Sequence, residues 1–334
     1  MKRVVVFGAT GNLGAYIAMH LKSEGYDVIA VGKRKSDNGF FEKHGMRYYS
    51  VDIKKPESFN VLPAEGIDAV CHFAGSLPSR YEFDPIDLFE SITIGSLNVL
   101  NWMRKVGCKK IVFPQTPADM WRYHNNGSTV PEDAPREFPL KGDHSVYAIA
   151  KNAAIDLMEH YRAEYGIAFF ALRFFTIYQY HPDAYHFTDF KRRMMPYRML
   201  MDRAMKGLPI EIWGNCKKAK EILYVKDLVR LVRNCVDSDL PGGVYNAGNG
   251  WQVSLEEQIK GIVEVFSPKD NPSKIIYCPE KPDPRDNALC VEKTFRDLHW
   301  KPIYSYIDQL RDFKHEMETE PMAGLWGTKG DYPE

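Results

Sequence analysis

A tyrosine and a lysine four residues apart are the clearest candidates for chemistry in this chain. Tyr147 and Lys151, in "HSVYAIAKNAA", lie on a predicted helix, where this spacing puts both side chains on one face. A phenol with a pKa of about 10 is a poor base at neutral pH, but a neighbouring ammonium and an oxidised nicotinamide would lower that pKa. The tyrosine could then take a proton from an alcohol while hydride leaves its carbon, and Lys151 could hold the nicotinamide ribose. Such a pair also arises by chance on helix surfaces, so its role depends on the surrounding motifs.

Three glycines near the amino terminus predict a phosphate-binding turn. In "VVVFGATGNLGAYIAMHL", Gly8, Gly11 and Gly14 lie between a predicted strand and a predicted helix. The first glycine permits a tight turn, the second lets the backbone approach a pyrophosphate, and the third allows close helix–strand packing. The free amides at the start of the helix would face the phosphates. A purely structural turn is the alternative, but the strand–turn–helix context favours dinucleotide binding.

The end of the second predicted strand bears on the choice between NAD and NADP. In "VIAVGKRKSDNG", Gly32 stands where an acidic residue of NAD-binding proteins would accept hydrogen bonds from the ribose 2′-hydroxyl. Lys33 and Arg34 offer cations for a 2′-phosphate, which favours NADP. Two alternatives stay open, since these residues could form a solvated basic turn, and Asp37 could supply the missing carboxylate.

The order of predicted elements indicates an α/β fold. Apolar runs typical of buried parallel strands occur in "RVVVFG", "DVIAVG", "MRYYSVD", "DAVCHFAG", "KKIVFPQT" and "AFFALRFFTIY". Helical spacing occurs between them in "LGAYIAMHLKSEG", "PIDLFESITIGSLNVLNWMRKVG" and "VYAIAKNAAIDLMEHYRAEYG". This alternation predicts a Rossmann-type doubly wound parallel sheet, with the ligand outside the carboxyl ends of its strands.

Beyond these elements the alternation weakens, and we expect a smaller carboxyl-terminal substrate-binding lobe. The dinucleotide-binding domain is predicted over residues 1–178, with about 213–250 returning to the sheet. The lobe is predicted over residues 179–212 and 251–320. Residues 321–334 are expected to form a loosely ordered tail.

Composition narrows the possible partners. The 334 residues include 44 basic and 44 acidic side chains, so neither nucleic acid nor an anionic membrane is expected as a partner. The six cysteines are far apart and form no CxxC pair, which favours a reducing, cytoplasmic setting. No apolar run is typical of a signal peptide or a membrane span. No HExxH, His-x-His or G-x-S-x-G pattern occurs, so neither a metal nor a hydrolytic serine is expected.

Taken together, these motifs resemble a known family. The glycine turn, "HFAG" after the fourth strand and the Tyr147–Lys151 pair resemble the short-chain dehydrogenase/reductase superfamily. The runs "LRFFTIY", "EILYVKDLV", "VYNAGNG" and "LHWKP" resemble its extended branch, the NAD(P)-dependent epimerase/dehydratase family, from residue 3 to about 312. The resemblance implies nicotinamide chemistry on a nucleotide-diphosphate sugar, with a related small or non-nucleotide substrate as the alternative. It also implies a homodimer formed through residues 84–105 and 146–165.

The resemblance assigns roles to further residues. It adds Thr116, at the end of the fifth strand, to Tyr147 and Lys151 as the third catalytic residue. The implied cofactor-binding residues are Gly8, Thr10, Gly11, Asn12, Leu13, Gly14, Lys33, Arg34, Asp52, Ile53, Phe73, Ala74, Gly75, Tyr147 and Lys151. The implied substrate-binding residues are Ser76, Thr176, Lys220 and Arg285. Weaker candidates over the substrate nucleotide are Tyr185, His186, Lys191 and Arg192.

Several positions depart from the family pattern. Sugar 4,6-dehydratases of the family carry Asp and Glu after the catalytic Thr, whereas this chain has Pro117 and Ala118, which cannot move a proton. A 4,6-dehydratase is therefore not expected. Ile92 replaces a usual Asn, and Thr176 replaces the Asn that would donate to the substrate phosphates. Lys220 replaces an arginine, which keeps the charge but loses the bidentate fork.

Three functions remain open at this stage. The leading one is an epimerase that oxidises a sugar carbon transiently and returns the hydride to its other face. An NADPH-dependent keto-sugar reductase or dehydrogenase would use the same residues. A non-catalytic NADP-binding sensor or scaffold is the third, although it would have no need of the whole set Thr116, Tyr147 and Lys151.

Overall fold

The computed structural model describes residues 1–78, 84–124, 127–188 and 191–332. Its strands are β1 (Arg3–Phe7), β2 (Asp27–Gly32), β3 (Arg47–Ser50), β4 (Ala69–His72), β5 (Lys110–Gln115), β6 (Thr129–Val130), β7 (Ala168–Arg173), β8 (Thr176–Tyr178), β9 (Tyr185–Thr188), β10 (Lys191–Met194), β11 (Ile210–Trp213), β12 (Ala219–Lys220), β13 (Ile222–Tyr224), β14 (Gly242–Asn246), β15 (Val253–Ser254), β16 (Ile275–Cys278) and β17 (Ala288–Leu289). Its α-helices are α1 (Asn12–Ser23), α2 (Phe40–Lys43), α3 (Pro85–Phe89), α4 (Gly95–Val106), α5 (Asp143–Tyr165), α6 (Pro196–Met205), α7 (Val225–Asp237), α8 (Leu255–Phe266), α9 (Glu292–Asp297), α10 (Tyr306–Thr319) and α11 (Ala323–Trp326).

Seven parallel strands form the central sheet, in the order β14-β7-β5-β4-β1-β2-β3. The chain leaves β1 toward β2 and β3 and later returns to β4 on the other side of β1. The topological switch point therefore lies between β1 and β4, where doubly wound sheets bind their ligands. The predicted Rossmann-type fold is confirmed.

Helices cover both faces of this sheet because its strands are apolar on both sides. Along β1, Val4 and Val6 contribute to one core cluster, and Val5 and Phe7 to the opposite one. Helices α1 and α7 contribute to the first cluster, and α4 and α5 to the second. Between α3 and α4 the helix widens into a π-turn, Glu90–Ile94, which buries Ile92 beside Gly75.

Outside the central sheet and α7, which covers it, the carboxyl-terminal half consists mainly of short strand pairs and the helices α6, α8 and α10. The pairs are β8 with β13, β9 with β10, β11 with β16, β12 with β15 and β6 with β17. Helix α8 packs against α6 and α10. Of the segment expected to return to the sheet, β14 is the part that joins it. The run "AFFALRFFTIY" forms two strands rather than one, since β7 belongs to the central sheet and β8 pairs with β13.

The expectation of a loosely ordered tail is wrong for the described residues 321–332. Leu325 and Trp326 on α11 are 1% and 5% exposed and belong to the first core cluster. A helix of four residues is too short to show a repeating apolar pattern, so the sequence did not predict that α11 is buried. The last two residues of the predicted tail lie outside the described part of the chain.

No helix among the described residues has the length and apolar character needed to cross a membrane. Within the same residues, no group of three or more His, Cys, Asp or Glu side chains is placed to hold a metal ion.

Candidate active site

A continuous cleft runs along the carboxyl ends of the central strands. It consists of two adjoining cavities, of about 820 and 690 Å³, that share the turn after β1 and the segment after β4. Nearly all of the predicted site residues line one or both cavities: Gly8, Thr10, Gly11, Asn12, Leu13, Gly14, Lys33, Asp52, Ile53, Phe73, Ala74, Gly75, Ser76, Thr116, Tyr147, Lys151, Thr176, Lys220 and Arg285. Arg34 lines neither cavity, and the four weaker candidates over the substrate nucleotide also lie outside both.

The glycine turn has the shape that a dinucleotide requires. Gly8 adopts a φ of +84°, and a Cβ on it would lie 2.7 Å from the backbone of Phe73 and Ala74. A Cβ on Gly14 would lie 2.0 Å from the Gly8 carbonyl oxygen, so α1 can pack this closely only without a side chain. Gly11 is the N-cap of α1 and offers no side chain to its first amides. These amides are therefore free to bind phosphate oxygens, and the turn fits a pyrophosphate.

The end of β2 forms one wall of the first cavity. A Cβ on Gly32 would lie 2.8 Å from the Thr10 hydroxyl oxygen and 3.0 Å from the Tyr48 hydroxyl, so these two side chains occupy the space that a side chain here would need. Gly32 therefore lines the cavity with its main chain alone. Lys33 lines the cavity, with its ammonium 3.9 Å from the Asp52 carboxylate. Asp37 does not supply the missing carboxylate, because it accepts hydrogen bonds from the first amides of α2.

Arg34, expected to bind a cofactor phosphate, points elsewhere. Its guanidinium donates to the carbonyl oxygen of Leu325 on α11 at 3.1 Å. Its own carbonyl accepts a hydrogen bond of 2.6 Å from the Tyr48 hydroxyl. The prediction for Arg34 therefore does not match its position, because a residue 291 positions further along the chain engages its side chain.

The predicted catalytic residues converge on the second cavity, at the end of β5. Tyr147 and Lys151 project from the first turns of α5, and Thr116 follows β5. The Lys151 ammonium donates to the Pro114 carbonyl at 2.7 Å and lies 5.7 Å from the centre of the Tyr147 ring. The Thr116 hydroxyl accepts a hydrogen bond from the Ala118 amide at 3.1 Å, and its own proton can be donated into the cleft.

Burial, rather than mutual attraction, dominates the electrostatics of this pair. Burial raises the pKa of the Tyr147 phenol, and it lowers the pKa of the Lys151 ammonium to about 7. The expected lowering of the Tyr147 pKa by Lys151 is therefore not present in the protein alone. The lysine lies over the ring and is hydrogen-bonded to Pro114, and it does not form an ion pair with the phenol oxygen.

A buried polar network fixes Thr116 relative to α5. The Gln115 side chain accepts from the Thr116 amide at 3.0 Å and donates to both Asp119 and Asn152 at 3.1 Å. Asp119 also forms an ion pair with Arg173, and both side chains are almost completely buried. Burial raises the pKa of Asp119, and the Arg173 charge opposes that rise. Sequence patterns gave no signal for this network, which joins four separate elements.

The far end of the second cavity is cationic and rich in hydrogen-bond acceptors. Lys220 and Arg285 both line it, and the pKa of Lys220 is lowered by burial and then by the Arg285 charge. Two cations this close favour an anionic ligand between them. Among the described residues, the side-chain oxygens of Gln179 and Asn287 are buried there without hydrogen-bond partners. These oxygens are suited to hydroxyl donors.

An aromatic wall that the sequence did not reveal lines the second cavity beside Thr116. The Trp121 and His124 rings lie 5.1 Å apart, and His124 lies 5.2 Å from Phe175. All three line the second cavity next to Thr116. The segment after β5 has no motif that would reveal them, so this wall is visible only in the fold.

The four weaker candidates over the substrate nucleotide lie outside both cavities. Tyr185 and His186 belong to β9 and Lys191 and Arg192 to β10, so all four lie on one antiparallel strand pair. Arg192 lies over the Tyr185 ring at 3.9 Å and forms an ion pair with Asp183. Phe187, which follows His186 on β9, lines the first cavity instead.

The central sheet and the cleft at its carboxyl edge have the features of a dinucleotide-binding α/β protein. A family model described as the NAD dependent epimerase/dehydratase family matches residues 4–248. The chain belongs to this family of nucleotide-sugar-modifying, extended short-chain dehydrogenase/reductase proteins.

Curated relatives cover nearly the whole chain. The UDP-glucose 4-epimerase of Lacticaseibacillus casei is 26% identical over 326 residues, which cover 92% of this chain and 94% of the relative. The GDP-mannose 3,5-epimerase 1 of Oryza sativa subsp. japonica is 25% identical over 336 residues, 97% of this chain and 84% of the relative.

Solved structures share the fold. The UDP-N-acetylglucosamine 4-epimerase from Bacillus cereus superposes with a TM-score of 0.74 at 19% identity, covering 95% of this chain and 97% of the other. The UDP-glucose 4-epimerase from Thermotoga maritima, solved with UDP-glucose, gives 0.72 at 23% identity, covering 95% and 99%. The UDP-glucuronic acid 4-epimerase from Bacillus cereus, solved with NAD, gives 0.69 at 19% identity, covering 94% and 99%.

Proposed function

We propose that this protein is a nucleotide-sugar epimerase that oxidises a ring carbon of a UDP-hexose transiently with a retained nicotinamide cofactor. The observation that carries the proposal is the convergence of Thr116, Tyr147 and Lys151 on the same cleft as the glycine turn. The paired cations Lys220 and Arg285 at the far end of that cleft suit the diphosphate of such a substrate. The similarity of this chain to UDP-glucose 4-epimerases supports UDP as the nucleotide of the substrate.

The residues of this chain supply binding and proton transfer. When bound, an oxidised nicotinamide dinucleotide would provide the hydride acceptor and a positive charge near Tyr147. Tyr147 takes the proton of the reacting hydroxyl group as the carbonyl forms and returns it when the alcohol is restored. Thr116 donates a hydrogen bond to the same oxygen, and Lys151 holds the ribose and, when charged, stabilises the phenolate.

The aromatic wall and the free acceptors provide for the sugar itself. An epimerase must release one face of the keto intermediate and present the other without losing it. Trp121 and Phe175 offer apolar surfaces, and the unpartnered oxygens of Gln179 and Asn287 offer acceptors for hydroxyl groups. The apolar surfaces of Trp121 and Phe175 would let the ring of the keto sugar rotate within the cleft without breaking many polar contacts.

For the cofactor we propose NAD. The sequence favours NADP through Lys33 and Arg34, but Arg34 is hydrogen-bonded to Leu325 and does not line the cavity. Lys33 does line the cavity, but its side chain is 70% exposed beside Asp52, and Lys54, which also lines it, is paired with Asp87 and Glu90. An exposed lysine contributes little to the binding of a phosphate. If Lys33 alone binds a 2′-phosphate tightly, the keto-sugar reductase becomes the better description of the enzyme.

Other chemistry known for the family is less well supported. The residues after Thr116 are Pro117 and Ala118, and both line the second cavity. Neither can act as acid or base at a substrate C–H bond. We therefore propose that the enzyme performs neither 4,6-dehydration nor epimerisation by proton exchange next to a ketone.

We also propose that the protein is a homodimer through α3–α4 and α5. Large apolar side chains are exposed on these helices, namely Ile86, Phe89, Ile94 and Ile149. Surface of this kind is typical of an interface. Sedimentation of the purified protein tests this, and a monomer at micromolar concentration would contradict it.

The test of the enzymatic proposal is turnover by the wild type and by Tyr147→Phe. A UDP-hexose panel is incubated with each protein without added cofactor, and the products are separated by chromatography. The wild type is expected to interconvert one epimer pair, and Tyr147→Phe is expected to lose at least about 1,000-fold in rate while still binding NADH. Equal rates for the two proteins would contradict the role of Tyr147. Dinucleotide and substrate binding without turnover in the wild type would favour the sensor.

A further inference from the structure

The carboxyl-terminal segment, residues 320–332, packs directly on the glycine turn. The Trp326 indole N–H donates to the Thr10 carbonyl at 3.1 Å, and the ring is 5% exposed. The same ring lies 6.0 Å from Tyr16 on α1 and 4.6 Å from His181. This segment therefore contacts the backbone that would hold the cofactor pyrophosphate.

The neighbouring residue of the segment engages the basic end of β2. Leu325 is buried, and its carbonyl oxygen accepts from the Arg34 guanidinium at 3.1 Å. The Arg34 carbonyl is fixed in turn by the Tyr48 hydroxyl, which lies next to Gly32. Both ends of Arg34 are thus held, and its guanidinium lies on the segment rather than in the cavity.

The segment is held in place by contacts of its own. The Glu320 carboxylate accepts from the Tyr180 hydroxyl and from the Lys329 amide, both at 2.8 Å. The Tyr332 hydroxyl donates to the Trp326 carbonyl at 2.6 Å. Because these contacts do not involve Arg34, the segment can determine where Arg34 points.

We infer that the carboxyl-terminal segment determines dinucleotide choice by holding Arg34 on the Leu325 carbonyl, away from the adenosine 2′ position. The inference rests on the proposed binding of a nicotinamide dinucleotide at the glycine turn. Gly32 lines the cavity at the end of β2 and carries no carboxylate there, and Lys33 and Arg34 would together suit a phosphate at this point. With Arg34 withdrawn, an uncharged 2′-hydroxyl is accommodated and NADP loses its main partner.

The test is calorimetric titration with NADH and NADPH of four proteins: the wild type, Arg34→Ala, Trp326→Ala and the double variant. In the wild-type background, Arg34→Ala is expected to change the NADPH-to-NADH affinity ratio less than threefold. Trp326→Ala undocks the segment and is expected to raise that ratio at least tenfold. Adding Arg34→Ala to it should remove the gain, because the freed guanidinium causes it.

Controls separate this effect from general damage. Trp213→Ala removes a tryptophan that is 47% exposed on β11 and should leave the ratio unchanged. Glu320→Ala loosens the base of the segment without touching Trp326, and it should raise the ratio in the same direction. Thermal melting of each variant shows whether it is folded, and Glu320→Ala provides the test if Trp326→Ala does not fold.

Three outcomes overturn the inference. A tenfold loss of NADPH affinity relative to NADH in Arg34→Ala would mean that Arg34 already holds the phosphate. An unchanged ratio in both segment variants would mean that the segment has no part in the choice. If the folded wild type binds neither dinucleotide, the proposed function itself fails, and the inference fails with it.

Discussion

Replacing Lys151 by methionine should stabilise the protein while abolishing its activity. Lys151 is 5% exposed, and its ammonium lies 4.2 Å from the centre of the Phe113 ring and donates a hydrogen bond to the Pro114 carbonyl. Burial lowers its pKa from 10.5 to about 7, which corresponds to a penalty of about 5 kcal/mol for the charged folded form at neutral pH. The lost hydrogen bond to Pro114 offsets about 2 kcal/mol of the gain. Lys151→Met should therefore add about 3 kcal/mol to the unfolding free energy at pH 7.

The sign of this effect gives it a characteristic pH dependence. Between the folded pKa of about 7 and the unfolded value of 10.5, the unfolded chain binds more protons at Lys151 than the folded one. The stability contributed by this residue in the wild type thus rises with pH across that window. The advantage of Lys151→Met should shrink as the pH approaches 10.

Urea unfolding followed by circular dichroism, after removal of bound nucleotide, measures this difference at pH 7, 8 and 9.5. Lys43→Met, on the exposed surface of α2 and outside the proposed dimer interface, is the matched control and should change the unfolding free energy by less than about 0.5 kcal/mol. The reasoning is refuted if Lys151→Met is less stable than the wild type at pH 7, or if its advantage does not change with pH.

Three further predictions concern residues that support the site. Gly14→Ala places a Cβ against the Gly8 carbonyl and should lower the unfolding free energy, measured in urea, by about 3 kcal/mol. The Cβ of Gly11→Ala would lie 3.2 Å from the same oxygen, so this variant should lose only about 1 kcal/mol. Similar losses for the two variants would contradict the packing argument. Asp119→Ala leaves the buried Arg173 unpaired and should cost about 3–5 kcal/mol, and a loss below 1 kcal/mol would mean that water reaches the pair. Burial raises the pKa of Glu221 to about 8, so the folded protein loses stability as the pH rises from 4.5 to 8. Glu221→Gln should therefore be more stable than the wild type at pH 8 and no more stable at pH 5. The same urea unfolding assay checks this difference.

The central sheet and the glycine turn could be predicted because their signals are local. The strands are continuous apolar runs, and the glycine spacing sits directly between β1 and α1. The turn needs glycine for reasons visible in the backbone, since side chains at Gly8 or Gly14 would collide with neighbouring main chain. Tyr147 and Lys151 were recognisable for the same reason, as their helical spacing is a property of one element.

What the sequence could not show depends on contacts between distant parts of the chain. The direction of Arg34 is set by Leu325, and the orientation of Thr116 by a network that includes Asp119 and Arg173. The segment "AFFALRFFTIY" reads as one apolar strand, but its two halves pair with different partners. Tertiary pairing overrides local pattern in each case.

The pKa of Tyr147 shows the same limit in chemistry. Spacing alone predicts that Lys151 lowers the pKa of the phenol, but spacing says nothing about how deeply either group is buried. In the folded protein burial is the larger effect and raises the pKa of Tyr147. The proposed role of Tyr147 as proton acceptor therefore requires that bound cofactor and substrate lower this pKa.

The most direct test of transient oxidation is the epimerisation of the preferred UDP-hexose in D₂O, with the product analysed by mass spectrometry and NMR. If hydride leaves the ring carbon and returns to it inside the closed cleft, the product contains no deuterium at carbon and no nicotinamide needs to be added. We predict that result. Solvent deuterium at the epimerised carbon, or a requirement for stoichiometric NADPH, would contradict the proposed function.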